Sequence, residues 1–164
     1  MDFTFIAPLG AVIALVFALI LSRRVMKASE GNSTMQKIAL AIRKGANAYL
    51  KRQYKGVIIF FIVMFVILLI LALCGLLSFF VPFAFLTGGF FSGLAGFIGM
   101  KIATASNART ANASQTSLNA GLKIAFSGGA VVGFVVVGLG LLFVVGWYFI
   151  LTLWFNDPDR KSVV

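Results

Sequence analysis

The sequence predicts an all-α fold: a polytopic transmembrane helix bundle of about four spans, with both termini outside. Three observations predict it. Of the 164 residues, 61% are hydrophobic and the mean hydropathy is +1.06, which places the chain in the membrane class. The formal charges, 14 Lys or Arg and 4 Asp or Glu, avoid residues 3–22, 56–100 and 124–156 altogether. The basic residues are also gathered: nine of the fourteen lie between Arg23 and Lys55.

Each uncharged run sets a number of crossings. A helix rises about 1.5 Å per residue and the hydrocarbon core is about 30 Å thick, so one crossing takes about 20 residues. Residues 3–22 make the first span. The second run is too long for one helix and holds Ser78 and Pro82, where a reversal divides it into spans at about 56–77 and 83–105. The run after Lys123 makes the fourth, about 124–151, which either overhangs the bilayer or breaks near Gly146. Val57 to Leu77 carries seventeen Val, Ile, Leu or Phe residues, worth about −5 to −10 kcal/mol of insertion free energy. Trp147, Tyr148 and Trp154 suit a headgroup belt.

Charge placement selects the orientation. The basic segment 23–55 and the later cations Lys101, Arg109 and Lys123 fall on one side. The other side receives Asp2, the uncharged reversal, and Asp157 and Asp159 with Arg160 and Lys161. The positive-inside rule puts both basic segments in the cytoplasm of a multi-pass protein of the cell (plasma) membrane. The net charge of +10 is therefore an orientation signal, and no nucleic-acid partner is expected; the lipid bilayer is the partner.

Within the basic segment, Ser33 or Thr34 is placed to cap a helix whose apolar positions Met35, Ile38, Ala39, Ile42, Ala46, Tyr49 and Leu50 recur at helical spacing. This reads as a basic amphipathic helix resting on anionic headgroups. Small residues line the third span, among them Gly88, Ser92, Gly96 and Ala95, Gly99, Ala103, with Gly129 and Gly133 on the fourth. They predict close packing between those helices or against helices from outside the chain. The second span is apolar on every face before Ala72 and predicts a lipid-facing helix, with Cys74 as inert packing.

The chemical inventory is short. Asp2, Glu30, Asp157 and Asp159 are the carboxylates and there is no His, so no span carries an acid for a proton relay or a magnesium site. A Ser-His-Asp arrangement and paired intramembrane carboxylates are excluded on the same ground, and no catalytic residue is assigned. The one candidate polar cluster is Lys101, Asn107, Arg109 and Thr110, whose donors suit a phosphate. The competing reading has Asn and Arg satisfying nearby backbone carbonyls.

Three stretches carry a resemblance: Gly45-Ala46-Asn47-Ala48-Tyr49-Leu50-Lys51-Arg52-Gln53-Tyr54, Gly99 to Ser114 (GMKIATASNARTANAS) and Ala125 to Leu142 (AFSGGAVVGFVVVGLGLL). In order and spacing they resemble the amino-terminal part of the membrane-integral, ion-pumping pyrophosphatases, over about residues 35–146. The resemblance implies a large helical homodimer that hydrolyses magnesium pyrophosphate at a cytoplasmic funnel while moving H⁺ or Na⁺ outward, with Mg²⁺ and in some members K⁺ as cofactors. The family's acidic runs of the type DxGADLxGKxE do not occur here, and Lys44 stands where an acid is common. The expectation is an amino-terminal portion, inactive alone, whose partners are the remaining helices of the pump or a homodimer partner and which meets pyrophosphate only in the complete protein. A small non-catalytic membrane scaffold or assembly protein is the alternative.

Overall fold

A computed structural model of the chain describes residues 5–155, with the side chain of Phe155 left out. Asp2, Asp157, Asp159, Arg160 and Lys161, and with them the expected positions of the termini, lie outside the described residues. Four helices make up the fold: α1 (Ile6–Lys27), α2 (Ser33–Leu73), α3 (Phe80–Thr116) and α4 (Leu118–Phe155). All four are long and apolar enough to cross a membrane. Among the described residues there is no strand.

Three of the helices exceed what a crossing requires. At about 1.5 Å per residue, α2, α3 and α4 are roughly 55–60 Å long, about twice the hydrocarbon thickness. The basic segment after residue 32 is thus not a separate amphipathic helix: residues 33–55 continue without interruption into the apolar half of α2. Nothing in the sequence between Lys55 and Val57 stops a helix, since an isolated Gly56 lowers its stability only slightly. α4 likewise passes through Gly146 unbroken, which, of the two alternatives, leaves the overhang.

The reversal between α2 and α3 sits earlier than Ser78. Cys74 is the C-cap of α2, Gly75 adopts φ +76°, Gly75 N–H donates to the Ala72 carbonyl and Leu76 N–H to the Leu71 carbonyl, both at 3.0 Å. That pairing is a Schellman motif, and the left-handed residue it needs is the glycine. Cys74 therefore lies exposed at a turn instead of being packed within a helix. Pro82 lies in the first turn of α3, buried, where its missing N–H has no helical partner to lose. At the other end, the cap of α2 is Asn32, whose side chain accepts from Met35 N–H at 2.9 Å, in place of Ser33 or Thr34. A single residue, Ser117, joins α3 to α4, and its hydroxyl accepts from Ala120 N–H at 3.1 Å.

α4 is flanked by α1 and α3, while α2 lies outermost and packs on α3. The core is Ala18, Ala95, Val131, Val135 and Leu139, with Leu15, Phe91 and Leu94 closing over it. Small residues allow the helices to approach: Gly99 faces Val132, Gly88 faces the Phe143 ring, and Gly138 faces Leu15. Gly129 and Gly133, expected to serve α4 in the same way, have nothing within 4 Å of a Cβ placed on them, and neither does Gly140. At about 100° per residue these three fall on the side of α4 opposite Val131, Val135 and Gly138. The apolar stretch of α2 contributes no buried residue, which is the surface a helix presents when it faces lipid.

This packing makes a paired prediction for the purified chain in detergent. A Cβ on Gly138 would sit 2.7 Å from the Leu15 side chain and 3.3 Å from the Ala11 carbonyl oxygen, so Gly138→Val should lower unfolding stability by about 1–3 kcal/mol. Gly133→Val should change it by less than about 0.5 kcal/mol. Equal melting shifts for the two variants would contradict the helix arrangement.

Candidate functional site

Polar side chains converge at the end of the bundle where α1 hands over to α2. Ala28 to Asn32 form the junction, which turns back on itself at Gly31 (φ +88°). A Cβ on Gly31 would lie 2.5 Å from Met35 Sδ and 2.9 Å from Asn112 Oδ1 and would displace those side chains, and the positive φ itself favours glycine. Ser29 Oγ accepts from Gly31 N–H, and Gln36 Nε2 donates to the Gly31 carbonyl.

Arg109 of α3 holds this junction. Its guanidinium donates from Nε to the Ala28 carbonyl at 3.0 Å and from Nη1 to the Ala105 carbonyl at 2.6 Å. Nη1 also pairs with Glu30 Oε1 at 2.9 Å. The Arg109 side chain is only 8% exposed and that of Glu30 20% exposed, so this pair is largely shielded from water. Arg43 of α2 pairs with the same carboxylate oxygen. Asn112 Nδ2 donates to the Ser29 carbonyl at 3.3 Å, and Gln115 Nε2 approaches Met35 Sδ at 3.7 Å. A planar guanidinium suits this bridging task because it donates in several fixed directions at once.

The four residues of the sequence-level cluster occupy different sides of α3. At about 100° per residue, Arg109, Thr110 and Asn107 stand roughly 80°, 180° and 240° around the helix from Lys101. Arg109 faces inward; Lys101 and Asn107 are exposed and Thr110 half-buried. Lys101 stands over the Phe97 ring, 5.4 Å from its centroid, and lines a cleft together with Arg43 and Asn47. The structure thus separates Arg109 from Lys101 and joins each to residues that the spacing argument had not paired with it. Glu30 and Arg43 stand outside the four-residue cluster, although one signal points to them: Glu30 is the sole carboxylate between residues 3 and 156 and lies among nine cations.

Among the described residues no group of three His, Cys, Asp or Glu comes together. Glu30 is their single carboxylate and it is turned toward two guanidinium groups. A magnesium ion requires several hard oxygen ligands in near-octahedral array, which these residues do not fit.

Four long apolar helices, a glycine-assisted core and a cationic junction at one end define a polytopic helical membrane protein. A family model described as inorganic H⁺ pyrophosphatase matches residues 12–163, and the chain belongs to that family. It is 54% identical over 147 residues to a putative K⁺-stimulated pyrophosphate-energized sodium pump of Bacteroides thetaiotaomicron, covering 89% of this chain and 20% of the relative. It is 41% identical over 138 residues to a K⁺-insensitive pyrophosphate-energized proton pump of Methanosarcina mazei, covering 84% and 20%. A K⁺-insensitive pyrophosphate-energized proton pump of Streptomyces coelicolor is 40% identical over 152 residues, covering 80% and 18%. The chain spans about a fifth of the length of these curated relatives.

The junction geometry predicts that Arg109→Lys lowers the stability of the purified chain by about 2–3 kcal/mol, because an ammonium point charge does not reproduce the fork. Asn107→Ala should shift it by less than about 0.5 kcal/mol. Thermal melting in detergent reads both, and an Arg109→Lys variant as stable as the parent would contradict the assigned role.

Proposed function

We propose that the chain is the amino-terminal four-helix portion of a pyrophosphate-energised ion pump, and that these 164 residues alone do not hydrolyse pyrophosphate. The observation that carries the reading is the family membership of a chain spanning about a fifth of its pump relatives, joined to a single, doubly paired carboxylate among residues 5–155. Hydrolysis of magnesium pyrophosphate, movement of H⁺ or Na⁺ and any K⁺ requirement then reside in helices beyond this portion. Its own task is to brace them.

A specific surface supports the bracing role. Along α3 and α4 runs an apolar groove of about 650 Å³, lined by Ser92, Gly96, Ala103 and Gly140 among others. Small residues along a groove let another helix approach closely, and the remaining helices of the pump are the occupants with matching chemistry. The orientation follows from charge: the junction, the basic half of α2 and the end of α3 lie in the cytoplasm, and the Gly75 turn faces outward across the plasma membrane.

Two experiments test this. In one, residues 12–155 replace the matching segment of a full-length pump relative, and pyrophosphate hydrolysis and ion uptake are measured in membrane vesicles. The chimaera should retain both activities and the isolated chain should release no phosphate above a blank. Phosphate release by the isolated chain, or a folded chimaera devoid of activity, would sink the reading. In the other, an impermeant maleimide is applied to intact cells expressing the chain. It should label the native Cys74, while a Cys74→Ser, Ser33→Cys variant should label only after the cells are opened; the reverse pattern rejects the orientation.

A further inference from the structure

The cationic pocket beside the junction carries more positive charge than its one carboxylate offsets. Arg43, Asn47, Lys101, Thr104, Ser22 and Met26 line a cleft of about 330 Å³ bounded by α1, α2 and α3. Glu30, paired with Arg43, is shared with Arg109, so one carboxylate faces two guanidinium groups. Lys101 adds a third cation, and its neighbour is an aromatic ring. Arg43 Nε is buried and has no hydrogen-bond partner. One carboxylate does not offset three cations, and an anionic oxygen would relieve the excess charge.

Next to this pocket two of these helices, α2 and α3, border a second cleft of different character. About 450 Å³ in volume, it is lined by Val57, Phe61, Phe90, Leu94 and Phe97, and the hydroxyl of its Tyr54 is engaged by the Gly93 carbonyl. The two clefts lie on the same helix faces: Arg43, Asn47, Tyr54 and Phe61 recur at helical intervals on α2, as do Gly93, Phe97, Lys101 and Thr104 on α3. Lys101 links them, since it lines the cationic cleft while its ammonium rests on Phe97, which lines the apolar one. From Lys101 to Gly89 is about 18 Å along α3, comparable to the depth of one leaflet, about half of the ~30 Å hydrocarbon core.

We propose that this paired cleft binds one anionic phospholipid, its phosphate between Arg43 and Lys101 and an acyl chain along the α2–α3 groove. A cationic pocket adjoining an apolar slot of leaflet depth fits a headgroup joined to a tail; a free phosphate would use only the first half, and an uncharged helix only the second. The inference needs the chain to be in a membrane and does not depend on the pump reading. Basic pockets between membrane helices are established headgroup sites in general, and each cation near such a surface contributes enough to change affinity about fivefold.

The test uses the purified 164-residue chain in detergent, with bound lipid counted by native mass spectrometry and stability followed by melting. Long-chain phosphatidylglycerol should bind at about one copy per chain and raise the melting temperature, while phosphatidylcholine, short-chain phosphatidylglycerol and inorganic phosphate should do neither. Lys101→Gln should weaken phosphatidylglycerol binding about fivefold with melting in phosphatidylcholine unchanged, whereas Lys51→Gln, on the exposed surface of α2, should weaken it less than about twofold. Equal binding of the two long-chain lipids overturns the proposal. So does an equal loss from both lysine variants, which would mark diffuse attraction, or full competition by inorganic phosphate, which would mark a site for the free anion.

Discussion

The arrangement depends on one guanidinium. Arg109 reaches from α3 to the carbonyls and the carboxylate of the α1–α2 junction, and no other side chain ties that junction to the bundle with comparable burial. Burial makes the contact consequential. A cation withdrawn from water with only part of its hydrogen bonding replaced would be destabilising, so its partners must stay in place. Because Glu30 also holds Arg43, the same carboxylate ties α2 to α3 at a point where α2 otherwise has few inward side chains. The long basic half of α2 is thereby directed along α3, and the clefts between α2 and α3 follow from that alignment.

Much of this was legible in the sequence, and the failures have physical causes. Absence of charge over three long runs located four membrane helices because a bilayer penalises every buried ion in the same direction, whatever the neighbours. Glycines were harder. Gly88, Gly99, Gly129 and Gly133 look alike in sequence, yet only the first two meet a neighbouring helix, since rotation of each helix about its axis is set by partners that periodicity does not name. Proline is a strong punctuator, so the sequence alone points to Ser78 and Pro82 for the reversal. The stop is Gly75, whose left-handed conformation ends α2, and the first turn of α3 accommodates the proline.

The polar residues show the same division. Composition exposes a chain with almost no acid, and spacing draws attention to Lys101, Asn107, Arg109 and Thr110. What spacing could not supply was direction: Arg109 points into the bundle and Lys101 across the face toward α2. Glu30 joins them indirectly through Arg43, a contact across 13 residues of sequence that local patterns do not encode. The two sides of α3 then differ in kind. Small residues together with Phe91 and Phe143 line a groove toward α4; Phe61, Phe90 and Phe97 together with Gly89 and Gly93 line a slot toward α2, with cations beside it. The second carries its own electrostatic requirement.

The measurement that bears most directly on this account is a double-mutant cycle on Glu30 and Arg109, using Glu30→Gln, Arg109→Gln and the combined variant in the reversible unfolding of the purified chain in mixed micelles. If the guanidinium holds the junction through that carboxylate, the two losses overlap and the coupling is about 1.5 kcal/mol or more. Losses that add to within about 0.3 kcal/mol would show that the pair contributes nothing as a pair, and the anchoring of the α1–α2 junction would have to be sought elsewhere.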